Sequence, residues 1–227
     1  KTIIITEGIT SIGNGVFEYC SSLTSITIPE SVTSIGGGAF EGCSSLTSIT
    51  IPKGVTSIEY SAFEGCSSLT SITISEGVTS IGYGIFARCN NLTSIEVNEN
   101  NQKYISDKGV LYTKDKTKLI QYPAGKQENK YVILNGVTSI GDSAFKYCSS
   151  LTSITIPESV TSIGDYAFYW CESLTSIIIP ESVTSIGYWI FANCRSNLTI
   201  YCTSNSYAKE YADYMHSKIN QKICKQH

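Results

Sequence analysis

The chain has 227 residues, 41% of them hydrophobic and 15% charged, with a formal net charge of −3. That length holds one or two globular domains. The weak acidic balance argues against general nucleic-acid binding, and no apolar run approaches the roughly eighteen residues that a membrane-spanning helix needs.

The first residues, "KTIIITEGITSIG", start part-way through a unit that recurs along the chain. The chain is therefore expected to be a piece of a longer protein whose targeting and anchoring segments lie elsewhere. Cysteines fall 23 residues apart at Cys20, Cys43, Cys66 and Cys89, and again at Cys148, Cys171 and Cys194. Each has a Phe three residues before it, from Phe17 to Phe191, and an Ile eight before it, from Ile12 to Ile186. The segment "LTSITIPESVTSIG" stands unchanged at 23–36 and 151–164.

One unit reads as chemistry. Leu23, Ile26 and Ile28 alternate with the period of a strand. Pro29 has no N–H to give a ladder and ends it. Val32 and Ile35, both β-branched, open a second extended piece. Gly36 allows a turn, after which Ala39, Phe40 and Cys43 make one inward-pointing helical or 3₁₀ turn. Thr24, Ser25, Thr27, Thr33 and Ser34 suit the outer faces. No such unit buries its own apolar side, but stacked copies do, each Leu, Ile, Val and Phe lying on its equivalent. The predicted fold is mainly β, one solenoid domain of stacked ~23-residue coils, regular over 1–97 and 131–202.

Nine cysteines could suggest a disulfide framework, but seven share one repeat position. These are expected to form a buried ladder of free thiols acting as small hydrophobes, since in-register parallel side chains poorly suit disulfide torsions. Cys202 and Cys224 lie outside the ladder; a bond between them and two free thiols are both open readings.

The period breaks over 98–130, where enlarged coils with a projecting hairpin are expected: "VLYT", the polar turn "KDKT", then "KLIQY". From Lys103 to Lys130 the segment holds Lys108, Lys114, Lys116, Lys118 and Lys126 besides its two ends, against Asp107, Asp115 and Glu128, a local charge of +4. A solvated hairpin is the plain reading; a docking patch for an acidic partner is the alternative. Over 203–227, "SYAKEYADYMHSKI" puts Tyr207, Ala208, Tyr211, Ala212, Met215 and Ile219 on one helical face, with Ser206 or Asn205 as the cap. Such a helix closes the open end of a solenoid.

Catalytic chemistry has little to stand on. The repeats contain no histidine, and His216 and His227 sit in the terminal segment, so a Ser–His–Asp or Cys–His constellation would have to be built there. No C-x-x-C pair marks a zinc site, the glycines near Gly13 and Gly36 lack a nucleotide-loop fingerprint, and Asp107 and Asp115 lack the spacing of a calcium loop. No catalytic residue, cofactor or metal site is expected. The Asn-Leu-Thr sequons at Asn91 and Asn197 recur with the repeat.

Information lies where the copies disagree. Five residues before the ladder cysteines stand Gly15, Gly38, Ser61, Gly84 and Ser143, then Tyr166 and Trp189. Trp170, Tyr169 and Tyr188 are close in sequence, and Tyr147 is one coil away. Tyr166, Tyr169, Trp170, Tyr188 and Trp189 are therefore expected to form one partly exposed aromatic edge that docks a protein or glycan partner; packing on one another and on the terminal helix is the other reading.

The unit, with its Ile-Pro, Val-x-x-Ile-Gly and Ala-Phe-x-x-Cys, resembles the BspA-like class of leucine-rich repeats, and "SDKGVLYTKDKTKLIQYPAG" and "LTIYCTSNSYAKEYA" resemble its bacterial members. The resemblance implies a right-handed leucine-rich-repeat solenoid in a secreted or surface-exposed bacterial protein. It also implies an adhesin-like binding module without catalytic residues, acting on host or microbial macromolecules; the chain itself is expected to be a monomer. A stalk or spacer without a partner of its own is the rival, and ice or mineral binding through the Ser-Ile-Thr rows a remote third. The chain departs from the pattern at Glu59, where the turn Gly is missing, at Ser75 in place of Pro, and at one extra residue before Leu198; small irregularities are expected there.

Overall fold

The computed structural model describes the backbone of residues 1–219 and 224–226 and side chains as far as Asp213. Contacts gather into two compact units, Lys1–Asp115 with Ile120–Lys126, and Lys116–Leu119 with Gln127–His227. Each is a mainly β solenoid of stacked coils.

In the first unit the Ile-x-Ile segments form short parallel strands, Thr2–Ile4, Ser25–Thr27 and Ser48–Ile49, paired in register so that Ile3 lies beside Ile26 and Ile26 beside Ile49. The Val-x-x-Ile segments make a second parallel sheet, Ser11–Ile12, Ser34–Ile35, Ser57–Ile58 and Ser80–Ile81, also in register. Strand pairs step by one coil, so identical residues meet, as the repeat requires. The third side of each coil is a 3₁₀-type turn: the Cys43 N–H donates to the Phe40 carbonyl at 3.1 Å and the Cys66 N–H to the Phe63 carbonyl at 3.2 Å. These turns are also bonded between coils, the Phe40 N–H donating to the Ala62 carbonyl at 2.8 Å and Phe63 to Ile85 at 3.0 Å. Phe17, Phe40, Phe63 and Phe86 stack with centroids 5.3 to 5.6 Å apart. Such pairs add about 0.5–1.5 kcal/mol each beyond burial.

The outer threonines are bonded within the stack. Thr33, Thr56 and Thr79 each donate their hydroxyl to the carbonyl of the Thr one coil back, at 3.0 to 3.2 Å. Thr supplies at once a β-branched body and a donor that fixes the coil spacing, which explains its recurrence better than exposure alone.

The enlarged segment is more buried than its lysines suggest. The pattern predicts a projecting hairpin of Val110–Thr113 with Lys118–Gln121. The structure does place Lys118–Gln121 beside Val110–Thr113 in one sheet, and it also pairs the other edge of Val110–Thr113 antiparallel with Tyr104–Asp107, through a two-residue turn whose Lys108 and Gly109 both have positive φ, 50° and 81°. That geometry matches the twist of the flanking strands. Val110, Leu111 and Tyr112 are buried, so this strand is core. Asn101, fully buried, fastens the segment: its amide donates to the Ser75 and Val78 carbonyls at 2.8 and 3.0 Å, and its carbonyl accepts the Lys103 and Tyr104 N–H groups at 2.8 Å.

The second unit repeats the scheme. Lys130–Val132, Ser153–Thr155, Ser176–Ile178 and Thr199–Cys202 form one parallel sheet, to which Cys224–Gln226 adds a strand that the sequence pattern does not announce. Lys118–Leu119, Ser139–Ile140, Ser162–Ile163 and Ser185–Ile186 form the other. Phe145, Phe168 and Phe191 stack at 5.3 and 5.4 Å. The helix Tyr207–Ile219 packs near Ser185–Ile186 and Thr199–Cys202 and buries Ala208 and Ala212. Ser206 is its cap, its hydroxyl accepting the Lys209 N–H at 3.3 Å. The side chains of Met215, His216 and Ile219 lie outside the described residues.

Two of the three expected irregularities are absorbed. The Glu59 N–H donates to Ile35 at 2.9 Å, as Gly36 does to Ile12 and Gly82 to Ile58 at 2.8 Å. Ser75 keeps the turn of the prolines, its carbonyl accepting from Val78 at 3.3 Å while its hydroxyl donates to Pro52 at 3.0 Å. The extra residue before Leu198 does shift a bond: Leu198 donates to Arg195, where the other coils donate to the cysteine.

Candidate functional site

Each coil that carries a ladder cysteine has two backbone positions in the left-handed region. Five residues before the cysteine stand Gly15, Gly38, Ser61, Gly84, Ser143, Tyr166 and Trp189, and all have φ between 52° and 63°. One residue before it stand Tyr19, Gly42, Gly65, Arg88, Tyr147, Trp170 and Asn193, with φ between 55° and 75°. Glycine reaches this region freely, whereas a Cβ there costs roughly 1–2 kcal/mol. The second unit nevertheless places Tyr147, Tyr166, Trp170 and Trp189 at these positions.

Tyr147, Tyr166, Tyr169 and Trp170 come together. Tyr166 meets Tyr169 edge-on at 5.6 Å, Tyr169 meets Tyr147 edge-on at 6.0 Å, and Trp170 lies 5.6 Å from Tyr147 and 6.4 Å from Tyr169. The Lys146 ammonium stands over Tyr147 and Tyr169 at 5.6 and 6.0 Å, a cation–π geometry. Tyr147, Tyr169 and Trp170 are half-buried, and the Trp170 indole N–H is shielded from solvent with no acceptor among the described residues.

Tyr166, Tyr188 and Trp189 are 42%, 77% and 54% exposed. The Tyr166 N–H donates to the Tyr188 carbonyl at 2.9 Å, so the two coils are stitched together, and the Tyr188 N–H is held by the Asp165 carboxylate at 2.7 Å. No ring contact joins Tyr188 or Trp189 to the four-ring cluster among the described residues. The geometry thus divides the five candidate residues into a packed cluster and two open rings.

The first unit carries aromatics that the pattern reading passes over. Tyr60 and Tyr83, both exposed, stack at 5.8 Å; their 23-residue spacing was the available signal. The Tyr60 ring occupies the space over Gly37, where an added Cβ would lie 2.6 Å from it. Exposed Tyr19 lies likewise over Gly42, and the Glu41 carboxylate beside it raises its phenol above the usual range.

The thiol ladder is free, as expected for all seven cysteines. Burial is not uniform: Cys20, in the first coil, is only half-buried, and the other six are buried. Nor are they mere hydrophobes. Cys43, Cys66 and Cys89 donate S–H to the carbonyls of Phe17, Phe40 and Phe63 at 3.1 to 3.3 Å, and Cys171 and Cys194 to Phe145 and Phe168 at 3.1 Å. Burial pushes the Cys43 thiol up to about 11 and Cys89 up to about 12. Cys202 is disulfide-bonded; the side chain of Cys224, its open candidate partner, lies outside the described residues.

No group of three or more His, Cys, Asp or Glu able to hold a metal ion occurs among the described residues, and no helix there is long and apolar enough to cross a membrane.

Parallel in-register coils with a Leu/Ile/Phe interior define a leucine-rich-repeat solenoid. The chain belongs to the BspA type leucine rich repeat region family, which matches it in six copies over residues 1–114 and 124–225. It is similar to a leucine-rich repeat protein from Eubacterium ventriosum, with 35% identity and a TM-score of 0.78 over 90% of this chain and 60% of that one. It is also similar to a leucine rich cell surface protein from Faecalibacterium prausnitzii, with 30% identity and a TM-score of 0.59 over 93% of this chain and 75% of that one. The pneumococcal vaccine antigen PcpA shares the fold, with 21% identity and a TM-score of 0.72 over 97% of this chain and 72% of that one. No curated protein matches the chain.

Proposed function

We propose that this protein is a surface-exposed or secreted binding module whose second unit presents its aromatic residues to a macromolecular partner, in the manner of an adhesin. One observation carries the reading. Of the left-handed positions before the ladder cysteines, five of eight in the first unit are glycine, beside Tyr19, Ser61 and Arg88, whereas four of six in the second are aromatic, Tyr166, Trp189, Tyr147 and Trp170, beside Ser143 and Asn193. Stacking does not ask for these rings, and backbone conformation disfavours them; strain that the fold does not need points to use. Tyr and Trp give large contact area for little conformational entropy. Similarity to the Faecalibacterium cell surface protein supports the location.

The spacer reading has its own support, since the outer threonines spend their hydroxyls within the stack. The same bonds count against ice or mineral binding through these rows. The test is a screen of the protein against immobilised matrix proteins and glycans, repeated with Tyr188→Ser/Trp189→Ser, which removes the two open rings and leaves the packed cluster intact. Burying one large aromatic contributes about 1.5–3 kcal/mol, so the double variant is expected to lose at least about tenfold in affinity with little change in Tm. An unfolded variant, or no partner in the screen, favours the spacer.

A further inference from the structure

The first sheet of the first unit is open in its middle. Ser25–Thr27 pairs with Ser48–Ile49, and Ser71–Ile74 pairs with Ser94–Val97, but Ser48–Ile49 and Ser71–Ile74 belong to separate sheets. The hydrogen bonds on either side make the gap plain. The Thr47 N–H donates to Thr24 and the Thr93 N–H to Thr70, while no bond joins Thr70 to Thr47. The hydroxyls follow suit: Thr47 and Thr93 donate one coil back at 3.3 Å and Thr70 does not. Elsewhere the same two coils stay bonded, through Ser57 with Ser80 and through the Phe63 turn.

A groove of about 420 Å³ follows this opening. Its walls are two facing strand edges with unspent backbone N–H and C=O groups. Ser48, Thr50, Ser71 and Thr73 line it, all exposed, and no hydrogen bond engages their hydroxyls among the described residues. Lys53 and Asn98 stand at its rim, the ammonium of Lys53 already paired with Glu76 at 3.2 Å.

We propose that this groove is a binding site for a neutral oligosaccharide, independent of the aromatic residues of the second unit. Width and charge select the ligand. Inserting a peptide strand between two strands requires about two spacings of 4.8 Å, roughly 9.6 Å, whereas the Cα atoms of these strands still come within 8 Å. A third strand does not fit between them, whereas a chain of sugar rings need not enter the gap and can lie along its mouth against the exposed Ser48, Thr50, Ser71 and Thr73. Its hydroxyls both donate and accept, matching the mixed N–H, C=O and O–H lining. An anionic ligand finds one lysine already neutralised by a carboxylate.

The test is an amide-resolved NMR titration of the intact chain with maltotriose, cellotriose, chitotriose and N-acetyllactosamine in turn. At least one sugar is expected to give saturable shifts concentrated at residues 47–51 and 70–74. Ser71→Ala/Thr73→Val is expected to weaken that binding about tenfold or more, and Thr33→Val, whose hydroxyl is bonded inside the other sheet, to leave it unchanged. The proposal is overturned if none of the four sugars shifts these amides, if the double variant binds as well as the parent, or if a blocked peptide of alternating Val and Thr shifts them instead. Loss of the aromatic residues leaves this titration unaltered, so the two sites fail separately.

Discussion

The Cys66 thiol donates to the carbonyl of Phe40, 26 residues earlier, at 3.3 Å. The same carbonyl accepts the Cys43 N–H at 3.1 Å, so each thiol ties its coil to the turn below without competing for a backbone donor. An alanine would lose the bond. This relation makes the ladder a structural device and sets its reactivity.

Thiol labelling of the native protein is expected to separate one cysteine from six. Cys20, half-buried, should react in the folded state, while Cys43, Cys66, Cys89, Cys148, Cys171 and Cys194 react only on denaturation. Peptide mapping after a short alkylation pulse checks this; fast modification of Cys66 would show that the ladder is open.

Stability should decline in alkali. An unfolded thiol gives up its proton near 9, while burial holds Cys43 until about 11 and Cys89 until about 12. The folded state therefore binds more protons in that window, and the slope of stability with pH is negative. The full contribution is present below about 9 and is lost as the pH rises through 11 to 12. Denaturant midpoints measured upward from neutral pH should fall across this window, and Cys89→Ala should flatten the fall.

Phe63 is fully buried and stacked between Phe40 and Phe86. Phe63→Ala should cost about 3–5 kcal/mol through the cavity it leaves. Thr70→Ala, at an exposed residue whose hydroxyl has no partner among the described residues, should stay within about 0.5 kcal/mol. Equal shifts in urea midpoint would mean that the inner and outer faces of the coil are misassigned.

Tyr166→Gly tests whether the left-handed rings are structural. Glycine relieves roughly 1–2 kcal/mol of backbone strain at φ 56°. It gives back about 0.4–1 kcal/mol in unfolded-state entropy and about 0.5–1.5 kcal/mol in the contact with Tyr169. The net change in stability should be within about 1.5 kcal/mol, while partner binding drops. A large loss of stability measured by calorimetry would assign Tyr166 to the fold.

The period of 23 residues by itself determined that coils stack in register, which positions face inward and that the cysteines form a column. These properties are legible because covalent repetition forces equivalent residues to meet and because burial selects side-chain type. The terminal helix was equally plain, its apolar spacing and Ser206 cap being local signals. The candidate aromatics could be named from their departure from the repeat, but not their division into a packed cluster and two open rings, which depends on ring positions in space. Nor did the letters reveal that those rings stand at left-handed positions, since a Tyr or Trp does not advertise its φ as Gly does. The hairpin at Lys108–Gly109 and the thiol bonds to the Phe carbonyls likewise needed coordinates. The sharpest limit is the sheet opening. "LTSITI" stands at 23–28, 46–51 and 69–74; the first two copies close a ladder and the second and third do not. Identical side chains cannot distinguish these junctions, because a backbone ladder closes or opens on a small difference in strand separation that is set by the packing of whole coils.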